Sequence, residues 1–111
     1  MILLFHQRPT RVQLDAMLQA LEFYVKVAVD TQRACLAGGG ELHADCEALL
    51  LEDGSRQEYV WGADWIPSSR EVRFEALINI RPGQGNPSMT ILDPVIRSKV
   101  EAIVRGLLEG V

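Results

Sequence analysis

Glu41, His43, Asp45 and Glu47 fall within seven residues, directly after Gly38, Gly39 and Gly40. An imidazole titrates near neutrality, and a neighbouring carboxylate can fix its tautomer. His43 with Glu41 or Asp45 is therefore a candidate acid–base pair, and the four side chains together are candidate ligands for zinc or a hard cation. Other features weigh against a metal. There is no HExxH motif, the only other histidine is the distant His6, and Cys35 and Cys46 do not form a CxxC pair. No metal site is assigned. The competing reading is a solvated face with a local ion pair.

A second candidate is the run Arg81-Pro82-Gly83-Gln84-Gly85-Asn86, with Asn79 just before it. Glycines let backbone N–H groups approach a ligand, and the Arg81 guanidinium can fork onto a carboxylate or phosphate. A small anionic ligand is the chemistry this stretch would serve. It lacks the third glycine of a dinucleotide loop and the Lys-Ser/Thr of a nucleotide P-loop. The alternative is a loop whose Gln84 and Asn86 bond the backbone. Trp61 and Trp65 alternate with Tyr59 on one strand face, which reads as core or, on an open face, as a binding platform with Trp61 in it. No serine lies in a nucleophile-elbow context, and neither cysteine has a basic neighbour to lower its pKa.

The elements that must hold these residues follow from pattern. Met1–Phe5 reads as a first strand. Thr10 and Gln13 have capping-box spacing, and Leu14, Met17, Leu18 and Leu21 form one stripe, so a helix is expected over 10–21. In 24–30, Val25, Val27 and Val29 face one way and Lys26, Ala28 and Asp30 the other, a half-buried strand. Residues 33–37 are its hairpin partner, which the triple glycine ends. A second hairpin pairs 58–66 with 71–81 across Pro67-Ser68-Ser69. Val72, Phe74, Ala76 and Ile78 share one face of its second strand, and Arg73, Glu75, Asn79 and Arg81 the other. Residues 82–89 are a loop. Asp93 is the N-cap and Pro94 the first residue of a last helix, striped by Ile96, Val100, Ile103, Val104 and Leu107 and stopped by Gly110.

Residues 41–51 fit either period. As a strand, Glu41, His43, Asp45 and Glu47 line one outer face at roughly 7 Å spacing. As a helix, Leu42, Cys46, Leu49 and Leu50 are buried, His43 and Glu47 sit side by side, Asp45 points elsewhere, and Leu51 falls on the polar side. The Ala, Glu and Leu content and Gly54 as a stop favour the helix, which breaks the polar row.

With 111 residues, 48% hydrophobic and 23% charged, the chain has the make-up of a single globular domain spanning 1–111. Its formal charge of −4 argues against a nucleic-acid partner. No run reaches membrane-spanning length, and both cysteines read as buried thiols in a reducing cytoplasm.

"GGELHAD", "EALLLEDGSRQE", the Trp61-Gly62 pair and "INIRPGQGN" together resemble the signature segments of a small prokaryotic family of domains of unknown function, from about Val25 to the last helix. The resemblance implies no activity and no cofactor.

The reading is an α+β domain with a mainly antiparallel sheet of four to five strands and helices packed on one face. Its expected role is a small cytoplasmic ligand-binding or protein-interaction module, with a homodimer as a compatible assembly and neither membrane nor nucleic acid as partner. The alternative is a small hydrolase- or lyase-type enzyme that uses His43 with Glu41 or Asp45, and Arg81 as anion anchor. These two sites must then line one concave pocket.

Overall fold

The computed structural model describes residues 1–111. Five strands, β1 (Leu3–Phe5), β2 (Val25–Asp30), β3 (Cys35–Gly40), β4 (Val60–Ile66) and β5 (Glu71–Arg73), form one sheet in the order β1-β3-β2-β4-β5, every neighbouring pair antiparallel. Three helices complete the fold, α1 (Arg11–Leu18), α2 (His43–Glu52) and α3 (Pro94–Leu108). The α+β class and the antiparallel sheet are as expected. None of the helices is long and apolar enough to cross a membrane.

The helices do not share one face. Leu14 and Met17 of α1 and Val100, Val104 and Leu108 of α3 pack with Val25, Val27, Val29, Leu36, Trp61 and Trp65 on one side of the sheet. Cys46 and Leu50 of α2 pack with Ala28, Cys35, Ala37 and Val60 on the other. Topology explains the correction. β1 and β2 run parallel with β3 between them, and β3 and β4 run parallel with β2 between them. The crossovers through α1 and α2 therefore advance the same way across the sheet, on strands of opposite direction. Crossovers between parallel strands are right-handed almost without exception, so these two must lie on opposite faces. Ala28, expected on a wet face, is accordingly buried under α2.

The caps behave as their residue types dictate. Thr10 and Gln13 form the reciprocal capping box, and the Asp93 carboxylate accepts from Val95 N and Ile96 N. The first helix stops at Leu18 rather than Leu21, and Glu22 in the turn behind it has φ 68°.

The triple glycine does not end β3 but lies inside it. The β2–β3 register shifts between Lys26 and Val27, which pair with Gly40 and Gly38, so Gly39 is the extra residue of a bulge. Its φ is +103°, and a Cβ there would lie 2.2 Å from Met1 O and 3.0 Å from Met17 Cα.

The second hairpin is shorter than expected. β5 ends at Arg73, and short 3-10 turns follow at Leu77–Asn79 and Pro82–Gln84. Gly62 is the cause. A Cβ there would meet Ala76 Cβ at 2.5 Å, so the returning chain lies too close to continue as a paired strand. Asn79 takes the strand's place. It is wholly buried, its Oδ1 accepts from Gly62 N at 2.7 Å, and its Nδ2 donates to Gly62 O at 3.0 Å. One side-chain amide thus closes both bonds of an edge position.

Candidate functional site

His43 is the first residue of α2 and Glu47 sits one turn later, so both project from the same side of the helix. That side faces protein. His43 Nε2 lies 2.9 Å from Asp64 Oδ1 and 3.0 Å from Ala63 O, with the His43 and Asp64 side chains only 11% and 15% exposed. Both neighbours are acceptors, so Nε2 carries the proton and Nδ1 is left as a free acceptor. Nδ1 makes no hydrogen bond within the chain, yet it is not among the buried unpartnered atoms, which are Asp30 Oδ2 and Trp65 Nε1. It therefore reaches solvent.

The carboxylate that orients His43 is thus Asp64, on β4, and neither Glu41 nor Asp45. Those two are exposed and make no side-chain bond to the imidazole. Sequence reasoning had one signal for Asp64: it stands in the strand alternation opposite Lys26, with which it pairs across β2 and β4. Its distance of 21 residues from His43 hid the contact. Glu41, His43, Asp45 and Glu47 do not converge, and no three His, Cys, Asp or Glu side chains gather in a metal-ligating group.

Glu47 has its own partner. Its carboxylate lies 3.3 Å from Arg81 Nη2, with the two side chains 12% and 10% exposed. Arg81 also donates from Nε to Ile78 O at 2.9 Å, from Nη1 to Gln57 O at 2.6 Å and from Nη2 to Val60 O, and its guanidinium lies 4.6 Å from the centre of the Trp61 ring. Burial pushes the Glu47 carboxyl above its ordinary range despite the arginine beside it. Burial likewise lowers the Arg81 pKa, although Glu47 opposes that shift. The guanidinium's donors are spent on carbonyls and one carboxylate, which makes Arg81 a tie between α2, β4 and the loop after Ile78.

The other residues of that loop also bond inward. Asn86 is buried, donates from Nδ2 to Asn79 O, Ser88 O and Thr90 O at 2.8–3.0 Å, and accepts from Leu92 N at 2.9 Å. Gln84 Nε2 donates to Glu58 O at 3.0 Å. Trp61 is 2% exposed in the core, because α1 and α3 close the face on which it stands. Burial pushes both the Cys35 and Cys46 thiols up, which disfavours a reactive thiolate.

A groove of about 390 Å³ opens where α2 begins. Leu42, Ala44, Ala76, Leu77, Ile78 and Met89 supply its apolar walls, and Lys26, His43, Asp64 and Glu75 its polar groups. The volume lies at the small end of the range for ligand pockets, and an apolar lining with a few convergent polar groups is their usual chemistry. Arg81 is not in its walls, so the His43 pair and the Arg81 loop do not form one pocket. Leu42, expected to be buried, stands 58% exposed at the rim, with Leu77 71% exposed near it. The tie from Lys26 Nζ to Glu41 O at 2.9 Å fixes the start of α2 against β2.

The family model described as "Protein of unknown function (DUF5674)" matches residues 3–107. No curated protein and no solved structure shows significant similarity to the chain.

Proposed function

We propose that this chain, which belongs to the DUF5674 family of proteins of unknown function over residues 3–107, is a small-molecule-binding domain whose site is the groove between the start of α2, β4 and the 75–89 segment. The observation that carries the reading is the His43–Asp64 pair, nearly buried in the wall of a mainly apolar groove. A structural ion pair needs no void beside it. Here the imidazole keeps one ring nitrogen free next to space large enough for a small ligand.

The test is an amide-resolved NMR titration of the whole chain with a library of small apolar metabolites. Shifts should cluster at Leu42, Ala44, Leu77 and Met89. Ala44→Trp, at an exposed helical position in the groove wall, should abolish them while leaving the remaining spectrum unchanged. Hits that map elsewhere, or that survive Ala44→Trp, refute the assignment.

One observation favours a second, enzymatic reading. A histidine held at Nε2 by a carboxylate with Nδ1 exposed has the arrangement of a general base. In this reading Asp64 replaces Glu41 and Asp45 as the orienting group, and Lys26 rather than Arg81 is the cation in the groove. Turnover of a groove ligand that disappears in His43→Gln, with ligand affinity kept, would establish it.

A further inference from the structure

We infer that the groove takes a zwitterion with a short apolar side chain, that is, a free apolar α-amino acid; this rests on the groove being the binding site. The argument is an inventory of unspent polar groups along its walls. On the donor side, Lys26 uses one N–H on Glu41 O and forms no ion pair, although Asp64 stands opposite it across the sheet. The first turn of α2 adds to this. Its N-cap, Leu42, offers no side-chain acceptor, so first-turn N–H groups of His43 and Ala44 are left for solvent or a ligand.

On the acceptor side, Glu75 lines the groove with no ion-pair or hydrogen-bond partner for its carboxylate. Asp64 commits only Oδ1 to His43, and His43 keeps Nδ1 free. A ligand with a positive head alone would meet Lys26 and the positive end of α2. One with a negative head alone would meet Asp64 and Glu75. Burying either opposite a like charge is costly. A molecule carrying both signs on one carbon satisfies both sets, its carboxylate toward Lys26 and the start of α2 and its ammonium toward Glu75 and Asp64. Ala76, Leu77, Ile78 and Met89 are left for the side chain. The volume of about 390 Å³ suits a ligand of that size.

The test uses L-leucine and its two singly charged fragments, 3-methylbutylamine (the carboxylate removed) and 4-methylpentanoate (the ammonium removed), titrated into the whole chain with the groove amides as readout. Hydrogen bonds to charged groups are worth enough that leucine should bind at least about tenfold tighter than either fragment. Glu75→Gln should bring leucine toward the affinity of 4-methylpentanoate, and Lys26→Gln toward that of 3-methylbutylamine. Glu75 is exposed and Lys26 partly so, and the dispersion of each variant's spectrum reports that it is folded. If one fragment binds at the groove as tightly as leucine, the zwitterion inference is overturned and the groove remains a binding site. If none of the three moves a groove amide, the inference falls, and the outcome of the library titration decides separately whether the groove itself survives as a site.

Discussion

Asn79→Ala tests the account of how the sheet ends. Gly62 N and Gly62 O both point away from β2, and in the native fold both are satisfied by one side chain, at 2.7 and 3.0 Å. The other two carbonyls that the Asn79 amide reaches, Phe74 O and Met89 O, also accept from Ile91 N and Ala76 N, so losing the amide does not orphan them. Truncation therefore strands two buried backbone groups. Each costs about 1–3 kcal/mol when left unmade, less whatever a water entering the vacated space restores. We expect a loss of about 3 kcal/mol. For a domain of this length that is a fall in melting temperature of roughly 12 °C.

The assay is equilibrium urea unfolding, in which the midpoint should fall with the slope unchanged. Asn79→Asp separates hydrogen bonding from simple loss of volume. It keeps an acceptor for Gly62 N but turns a second acceptor toward Gly62 O. It should cost at least as much as alanine at pH 7. The buried carboxyl would bind its proton more tightly in the folded state than in the unfolded state, so stability should return as pH falls toward the ordinary aspartate range. A loss below about 1 kcal/mol for alanine, or aspartate tolerated at pH 7, refutes the reasoning.

Four further outcomes are expected. Asp93→Ala, which deletes the N-cap of α3, should cost about 1 kcal/mol in urea unfolding. Gly39→Ala, at φ +103° and 2.2 Å from Met1 O, should cost at least about 2 kcal/mol; a thermal melt unchanged from wild type would remove the bulge assignment. His43→Ala leaves the nearly buried Asp64 carboxylate without its donor and should cost about 1.5 kcal/mol, whereas a purely solvated histidine would cost almost nothing. Because the folded Glu47 carboxyl titrates above its ordinary value, its protonation favours the fold. Stability attributable to this group should rise as pH falls from the folded value toward the ordinary one, and the wild-type-minus-Glu47→Gln difference should display that slope.

What was legible in the sequence was local. The capping box at Thr10 and Gln13, the Asp93-Pro94 helix start and the alternation of Val25, Val27 and Val29 each depend on residues within a turn or a strand of one another, and each appears as read. The helical choice for 41–51 also holds, with α2 beginning at His43. What failed was what only strand order decides. No periodicity shows that β3 lies between β1 and β2, and it is that insertion which sends α1 and α2 to opposite faces. The small residues Ala28, Cys35 and Ala37 gave a weak apolar signal for the face under α2. Asn79 was misplaced for a related reason. A buried asparagine that imitates a strand looks, in sequence, like one more polar residue on an outer face. The partners of His43 and Arg81 lie 21 and 34 residues away, beyond any local pattern.

The cluster that begins the polar story divides by helical geometry. Glu41 and Asp45 point to solvent, while His43 and Glu47, one turn apart, point inward and are each taken by a different part of the fold. His43 ties α2 to β4 through Asp64, and Glu47 ties it to the 77–86 segment through Arg81. The same segment carries Asn79, which closes the β4 edge, and Leu77 and Ile78, which wall the groove. Both walls of the groove are thereby fixed to one central strand by polar contacts outside the apolar lining. Fixed walls lower the ordering cost that binding must overcome, and a site built on tethered helix and strand ends holds its geometry better than one on free loops. The polar residues of this chain that look most like chemistry are therefore divided between two tasks. Arg81, Glu47, Asn79 and Asn86 hold the groove's walls in place, and His43, Asp64, Lys26 and Glu75 face the space between them.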